Sequence, residues 1–432
     1  MRREYIDFEA LTSYNELYNG YIRATSGSKG DREDAIEFGR DPETLRNNLL
    51  SLQQRLRDET WQADPGRTFK LFTEKKWRDI TVVDIEDRIV HQVLVKFFNM
   101  KRRYIRRTFG SIKKRGTLAA SKQVRRDVYL SGFRYVIITD AKKYYPNIVK
   151  ERMIYLLRRM YKGEKALRLY EKVIRAYLPD ELGMSIGALT SQDCGNMYYT
   201  PLDHFVLEVL KVKYYSRLVD NTVMLVRSKK EGARVIDRLI REAPAHGIIY
   251  GTLEMFPLDG RKIDFCGYTV DSNAIAKMRT GTLRNFSRKL RQLDKKPLAD
   301  PLAERSSVYS YLGLLRHCHG ERITNILKSK HYEVFNRVER CASKRTDQQA
   351  GEAAPPLSTG GRRVSHLLQR ASGDPAIDRR RGAGDRGGSD GLRLRERTQR
   401  PRADRRRVDE LPLCRGLHQR ENQKDTIQQV KP

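Results

Sequence analysis

The spacing of apolar positions along this chain changes several times, and each change marks an element. Over residues 43–59, Leu45, Leu49, Leu52 and Leu56 recur at intervals of three and four, which puts them on one face of a helix with polar side chains around the rest. Residues 67–81 mix β-branched and aromatic side chains with charges, the mark of a short hairpin, and a helical period runs from Val83 to about Met100. Two apolar runs follow: 133–139, which ends at Asp140, and 214–226, which is broken by Asp220 and Asn221. Both read as strands, the second as two strands about a two-residue turn at Asp220 and Asn221. Helical periods occupy 150–160, the stretch after Ser191 and 230–242, and from about Thr280 the chain is helical and basic. Strands and helices alternate without regular βαβ spacing, which predicts an α+β fold built on an antiparallel sheet.

Past residue 343 the pattern stops. Phe335 is the last aromatic residue, Lys gives way to Arg, and runs such as 378–388 have too few apolar side chains to form a core. Residues 344–432 are therefore expected to be a disordered basic tail or the product of a shifted reading frame, with an Arg/Gly-rich RNA-binding tail as the functional alternative.

Composition adds a partner to this picture. Among 432 residues Lys and Arg number 86 against 54 Asp and Glu, a net charge of +32. The tail 344–432 holds 21 basic and 12 acidic side chains, so most of the excess belongs to the body of the chain. A polyanionic partner follows, because each phosphate neutralised by Lys or Arg releases counterions. No apolar run approaches the roughly 20 residues that span a bilayer, and residues 1–7 lack the apolar stretch of a signal peptide. The five cysteines, Cys194, Cys266, Cys318, Cys341 and Cys414, are scattered and odd in number, which fits a reduced cytoplasm. His317, Cys318 and His319 adjoin one another, but no second ligand pair stands at zinc-finger spacing.

The candidate chemistry lies in two aspartates 80 positions apart, Asp140 and Asp220, each at the tip of an apolar strand, with the loop Ile186, Gly187, Ala188, Leu189, Thr190, Ser191, Gln192 between them. One carboxylate from each of two adjacent strands can hold a pair of Mg²⁺ ions, which take hard oxygen ligands and keep few from the protein.

These three segments, in this order, resemble the palm of bacterial reverse transcriptases. Upstream, 76–80 with 87–94 resembles the first fingers block and 109–117 the second; downstream, Phe256 and Pro257 with 263–268 are similar to the primer-gripping hairpin. The resemblance covers roughly 40–340. The Ile-Gly-x-x-x-Ser-Gln form of the middle loop is similar to that of diversity-generating retroelements, whereas group II intron and retroviral enzymes usually carry Gln-Gly-x-x-x-Ser-Pro.

The resemblance implies an α+β right-hand polymerase. Its parts would be an N-terminal extension (1–40), fingers (41–130), a palm with an antiparallel sheet (131–272), a helical thumb (273–343) and the tail (344–432). The activity implied is RNA-directed DNA synthesis in a bacterial or phage retroelement, with two Mg²⁺ ions, or Mn²⁺, held by Asp140, Asp220 and the carbonyl of Ala141. Tyr145 would lie beneath the incoming sugar and exclude a 2′-hydroxyl. Lys113 and Arg115 would meet the triphosphate, Ser191 and Gln192 would approach nucleotide and template, and Phe265 and Gly267 would grip the primer. Arg88 would contact template or pair with Asp84. The partners implied are an RNA template, a DNA or RNA primer, dNTPs and an accessory nucleic-acid-binding protein.

The chain departs from the family at three places: Asn221 stands where a second Asp is usual, Leu218 where an aromatic is, and Tyr250 where relatives often have a lysine. A catalytically silent nucleic-acid-binding relative and a group II intron-type enzyme are the alternatives.

Overall fold

The computed structural model describes residues 2–73, 76–178 and 180–340; the expectations for the tail lie outside the described residues. A five-stranded sheet holds the site. Its strands are Thr108–Phe109 (β1), Tyr135–Ala141 (β2), Tyr214–Leu218 (β3), Asn221–Val226 (β4) and Tyr250–Pro257 (β5), in the spatial order β1-β3-β4-β2-β5. β2 lies antiparallel between β4 and β5, and β3 is antiparallel to β4. The expected antiparallel sheet holds except at one edge, where β1 joins β3 in parallel through Thr108↔Arg217 and Phe109↔Leu218.

Alternation along the strands divides the side chains between two cores. Ile137, Met224 and Val226 face a layer that includes Tyr198, Tyr199 and Leu202. Those three belong to helix Leu189–His204 (α1), which is buried on nearly every side. Val136, Val223, Leu225 and Phe256 face the other way, against Ala120, Val124 and Val128 of helix Thr117–Ser131. Burying each of these valines or leucines contributes about 1.5–3 kcal/mol. The same second core takes in a small antiparallel sheet, Ile263–Phe265, Tyr268–Val270 and Ala276–Met278.

The helix expected over 43–59 spans Pro42–Arg57, capped by the Asp41 carboxylate, with Leu49, Leu52 and Leu56 buried. The helix expected from Val83 spans Ile85–Phe98. Both join the larger core together with Leu17 and Ala24 of helix Tyr14–Ala24. The C-terminal helices Thr280–Lys295, Pro301–Leu315 and Glu321–Lys330 share a separate core around Phe286, Leu290, Leu293, Val308 and Leu315, with the Phe286 and Tyr311 rings stacked at 4.7 Å.

The hairpin expected over 67–81 is Arg67–Thr73 paired antiparallel with Lys76–Val82. It meets the loop before α1 edge to edge: Ile80 bridges Ile186, and the Thr81 N–H donates to the Ile186 carbonyl at 2.8 Å. Gly187 makes this approach possible. Its φ is +131°, and a Cβ there would stand 2.2 Å from the Thr81 carbonyl oxygen. Gly187→Ala is therefore expected to destabilise the fold by about 3 kcal/mol, from backbone strain and overpacking together; urea denaturation measures it, and an unchanged midpoint would contradict this contact.

Candidate active site

Asp140 and Asp220 come together because β2 and β4 pair in register, Asp140 opposite Asn221, at the open end of the sheet. Asp140 shares its sheet face with Val136 and Ile138, beyond the end of the core that covers them. The turn between β3 and β4 consists of Val219 and Asp220. This corrects the expected Asp220-Asn221 turn: Asn221 is the first residue of β4, paired with both Leu218 and Asp140.

Both carboxyls are half-buried and both have raised pKa values. Burial is the first cause at Asp140, with the Lys76 charge and a hydrogen bond from Asn221 acting against it. At Asp220 burial again comes first and the negative charge of Asp140 second, opposed by Asn221 and Arg78. The Asn221 amide donates to Asp220 Oδ1 at 3.1 Å. A carboxylate whose ionisation is disfavoured by a neighbouring carboxylate, as Asp220 is by Asp140, belongs to a site that gains from a cation. The donor set of two carboxylates and an amide oxygen is hard and suits Mg²⁺. Among the described residues no group of three or more His, Cys, Asp or Glu is placed to hold a metal, so the site rests on the pair.

Lys76 and Arg78 were not singled out as site residues from the sequence. The hairpin carries both on one face, Lys76 opposite Thr73 and Arg78 opposite Leu71, and their charges reach the two carboxyls.

Tyr145 lies beside the pair. Its ring is seated on Gly195 of α1, where a Cβ would come within 3.1 Å of it, and the nearby Asp220 charge adds to burial in pushing its hydroxyl pKa upward. Ala141 is buried, and a bulge separates it from Asp140 in the pairing with β5. Lys113 is exposed on a tight loop that returns to β1, the Gly110 N–H donating to the Arg115 carbonyl at 2.8 Å. Because β1 pairs with β3 at Leu218, this loop is anchored next to the turn that bears Asp220. Gln192 is exposed in the first turn of α1, whereas Ser191 is buried with its hydroxyl 3.3 Å from that of Ser185.

Several expected roles change. Phe265 is a core side chain of the second cluster, and in the turn after it Cys266 and Gly267 have φ of +55° and +84°. Arg88 pairs with Asp34 at 3.1 Å, and Asp84 caps helix Ile85–Phe98 by accepting from the Glu86 N–H. Largely buried, the Arg88 guanidinium does not present itself to a template. Tyr250, the departure from a family lysine, pairs with Ala141 and is hydrogen-bonded to Tyr199, within the core that α1 helps to build.

A further group escaped the sequence reading. Arg217, fully buried, meets the equally buried Asp203 of α1 at 2.6 Å beneath the turn. The signal was present, since an arginine inside an apolar strand must find a buried partner.

No family model and no curated protein matches the chain. Among solved structures it is similar to apo telomerase from Candida tropicalis, with 12% identity over 64% of this chain and 62% of that one and a TM-score of 0.41. It is also similar to telomerase from Candida albicans in complex with a TWJ fragment of telomeric RNA, with 13% identity over 64% and 55% and a TM-score of 0.42. A C-terminally truncated form of the Candida tropicalis protein gives 14% identity over 50% and 55% and a TM-score of 0.38. The chain spans 55–62% of the length of these telomerase chains.

Proposed function

We propose that this chain is an RNA-directed DNA polymerase that transfers a nucleotide from a dNTP to a primer 3′-hydroxyl. The observation that carries this reading is the closeness of Asp140, at the end of β2, to Asp220, in the turn before β4, with the cations Lys76 and Arg78 brought to them by a separate hairpin. In this reading the central sheet is a palm, the hairpin and the helices around it are fingers, and the C-terminal helices are a thumb.

Asp140 and Asp220, with the carbonyl of Ala141, would hold two Mg²⁺ ions. Such ions lower the pKa of the attacking hydroxyl and neutralise the leaving pyrophosphate. The protein's own residues do the rest. Asp140 and Asp220 fix where the reacting groups meet, Lys76 and Arg78 with Lys113 and Arg115 supply positive charge for a triphosphate, and Tyr145 floors the sugar site. The basic body of the chain suits an RNA template and its primer. The retroelement reading, close to the diversity-generating type, rests on the loop that ends in Gln192, and an accessory nucleic-acid-binding protein belongs to it. Among the described residues no helix is long and apolar enough to cross a membrane, and a cytoplasmic enzyme is part of the proposal.

Primer extension on an RNA template with dNTPs and Mg²⁺ or Mn²⁺ tests the activity. Extension is expected. RNA binding without extension in either metal would favour the silent-binder reading, which the replacement of a carboxylate by Asn221 supports. Tyr145→Ala is expected to raise incorporation of ribonucleotides at least tenfold relative to deoxynucleotides, because the ring's bulk excludes the 2′-hydroxyl. Competition between dNTP and rNTP measures this, and unchanged discrimination would reduce Tyr145 to a packing residue.

A further inference from the structure

We propose that Arg217 is a positioning residue: its buried guanidinium holds the Val219–Asp220 turn in the conformation that aims the Asp220 carboxylate at Asp140. Val219 has φ of +57°, a left-handed conformation that β-branched residues avoid and that persists only where the surroundings impose it. Arg217 Nη1 donates to the Val219 carbonyl at 2.7 Å.

The other guanidinium donors are anchored on α1. Nε donates to both Asp203 oxygens at 2.8 and 3.0 Å, and Nη2 donates to Asp203 Oδ2 at 2.6 Å. Asn196 accepts from Nη1 at its side chain, 3.2 Å, and from Nη2 at its backbone carbonyl, 3.1 Å. The Tyr215 hydroxyl donates to Asp203 at 2.5 Å, and the Tyr199 ring lies 4.8 Å from the guanidinium carbon. Helix α1, buried on nearly every side, gives this group a fixed base, and the planar fork reaches from that base to one backbone carbonyl of the turn. A lysine has no second branch with which to do both.

The inference rests on the reading of Asp220 as a metal ligand, so the experiment separates the two. In the full-length chain, Mn²⁺ binding is followed by electron paramagnetic resonance, kcat and KM by primer extension, and backbone mobility by hydrogen exchange in the peptide that contains the turn. Arg217→Lys retains a cation opposite Asp203 but loses the reach to Val219. It is expected to lower kcat at least tenfold with little change in KM for dNTP, to weaken Mn²⁺ binding at least threefold, and to speed exchange at the turn. Adding Val219→Gly is expected to recover most of the lost kcat and Mn²⁺ affinity, because glycine adopts positive φ without penalty.

A merely structural Arg217 would lower the melting temperature yet leave kcat, Mn²⁺ affinity and turn exchange as they were, and that result overturns the proposal; so does failure of Val219→Gly to rescue. If Arg217→Lys does not fold, Arg217→Met with Asp203→Leu replaces the ion pair by apolar side chains, and the same readouts apply. Asp220→Ala serves as the control. If it leaves Mn²⁺ binding unchanged the metal-ligand reading fails, while turn exchange in the Arg217 variants still decides whether Arg217 holds the turn.

Discussion

Replacing either Asp140 or Asp220 with alanine is expected to lower primer extension by at least about a thousandfold, some 4 kcal/mol of barrier, with nucleic-acid binding retained. Each aspartate supplies half of the carboxylate pair, and among the described residues no third carboxylate joins them in a metal-holding group. The fold should not suffer. Burial raises both pKa values above the ordinary 3.8, so the folded state binds protons more readily there than the unfolded chain does. Stability contributed by these groups therefore falls as pH rises from 3.8 through the raised values, and at neutral pH each ionised carboxylate opposes folding. The alanine variants are accordingly expected to melt at the parent's temperature or slightly above it at neutral pH. Activity has the opposite dependence, since protons compete with cations for the pair: it should decline as pH falls through the raised pKa values. Variants that extend primers as well as the parent would remove Asp140 and Asp220 from the mechanism.

The second large effect is a gain. Asn221 begins β4 directly opposite Asp140, and its amide donates to Asp220. In Asn221→Asp a third negative charge enters a site where the charge of Asp140 already raises the pKa of Asp220, so binding of divalent ions becomes the way to relieve the repulsion. Extension in Mg²⁺ is expected to rise tenfold or more, about 1.4 kcal/mol. The parent is expected to favour Mn²⁺, which binds nitrogen and oxygen donors more tightly. Parallel Mg²⁺ and Mn²⁺ titrations of parent and variant measure both. An Asn221→Asp variant no faster than the parent in either metal would place the limitation elsewhere, and brisk extension by the parent in Mg²⁺ would show that the existing pair suffices.

The sequence by itself determined those features whose cause is local. The spacing of Leu49, Leu52 and Leu56 reports which side of a helix is buried, and the apolar runs before Asp140 and around Asp220 report strands covered on both faces, because the periods of helix and strand translate directly into faces. Gly187 was legible within its loop, although only the structure shows that the Thr81 carbonyl is what excludes a side chain there.

Tertiary structure decided what depends on partners distant in sequence or on register. The turn moved by one residue, to Val219 and Asp220, because pairing Asp140 with Asn221 leaves those two to close the hairpin. Arg88 found Asp34 rather than Asp84, since Asp84 was taken up in capping its own helix. Tyr250 joined the core with Tyr199, because its pairing with Ala141 sets it on that layer. Lys76 and Arg78 reached the carboxyls, and Arg217 reached Asp203 and the Val219 carbonyl, through chain segments whose separation along the sequence says nothing of their separation in space. A one-dimensional pattern reports that a side chain must be buried or paired; which group it meets is fixed only when the elements pack.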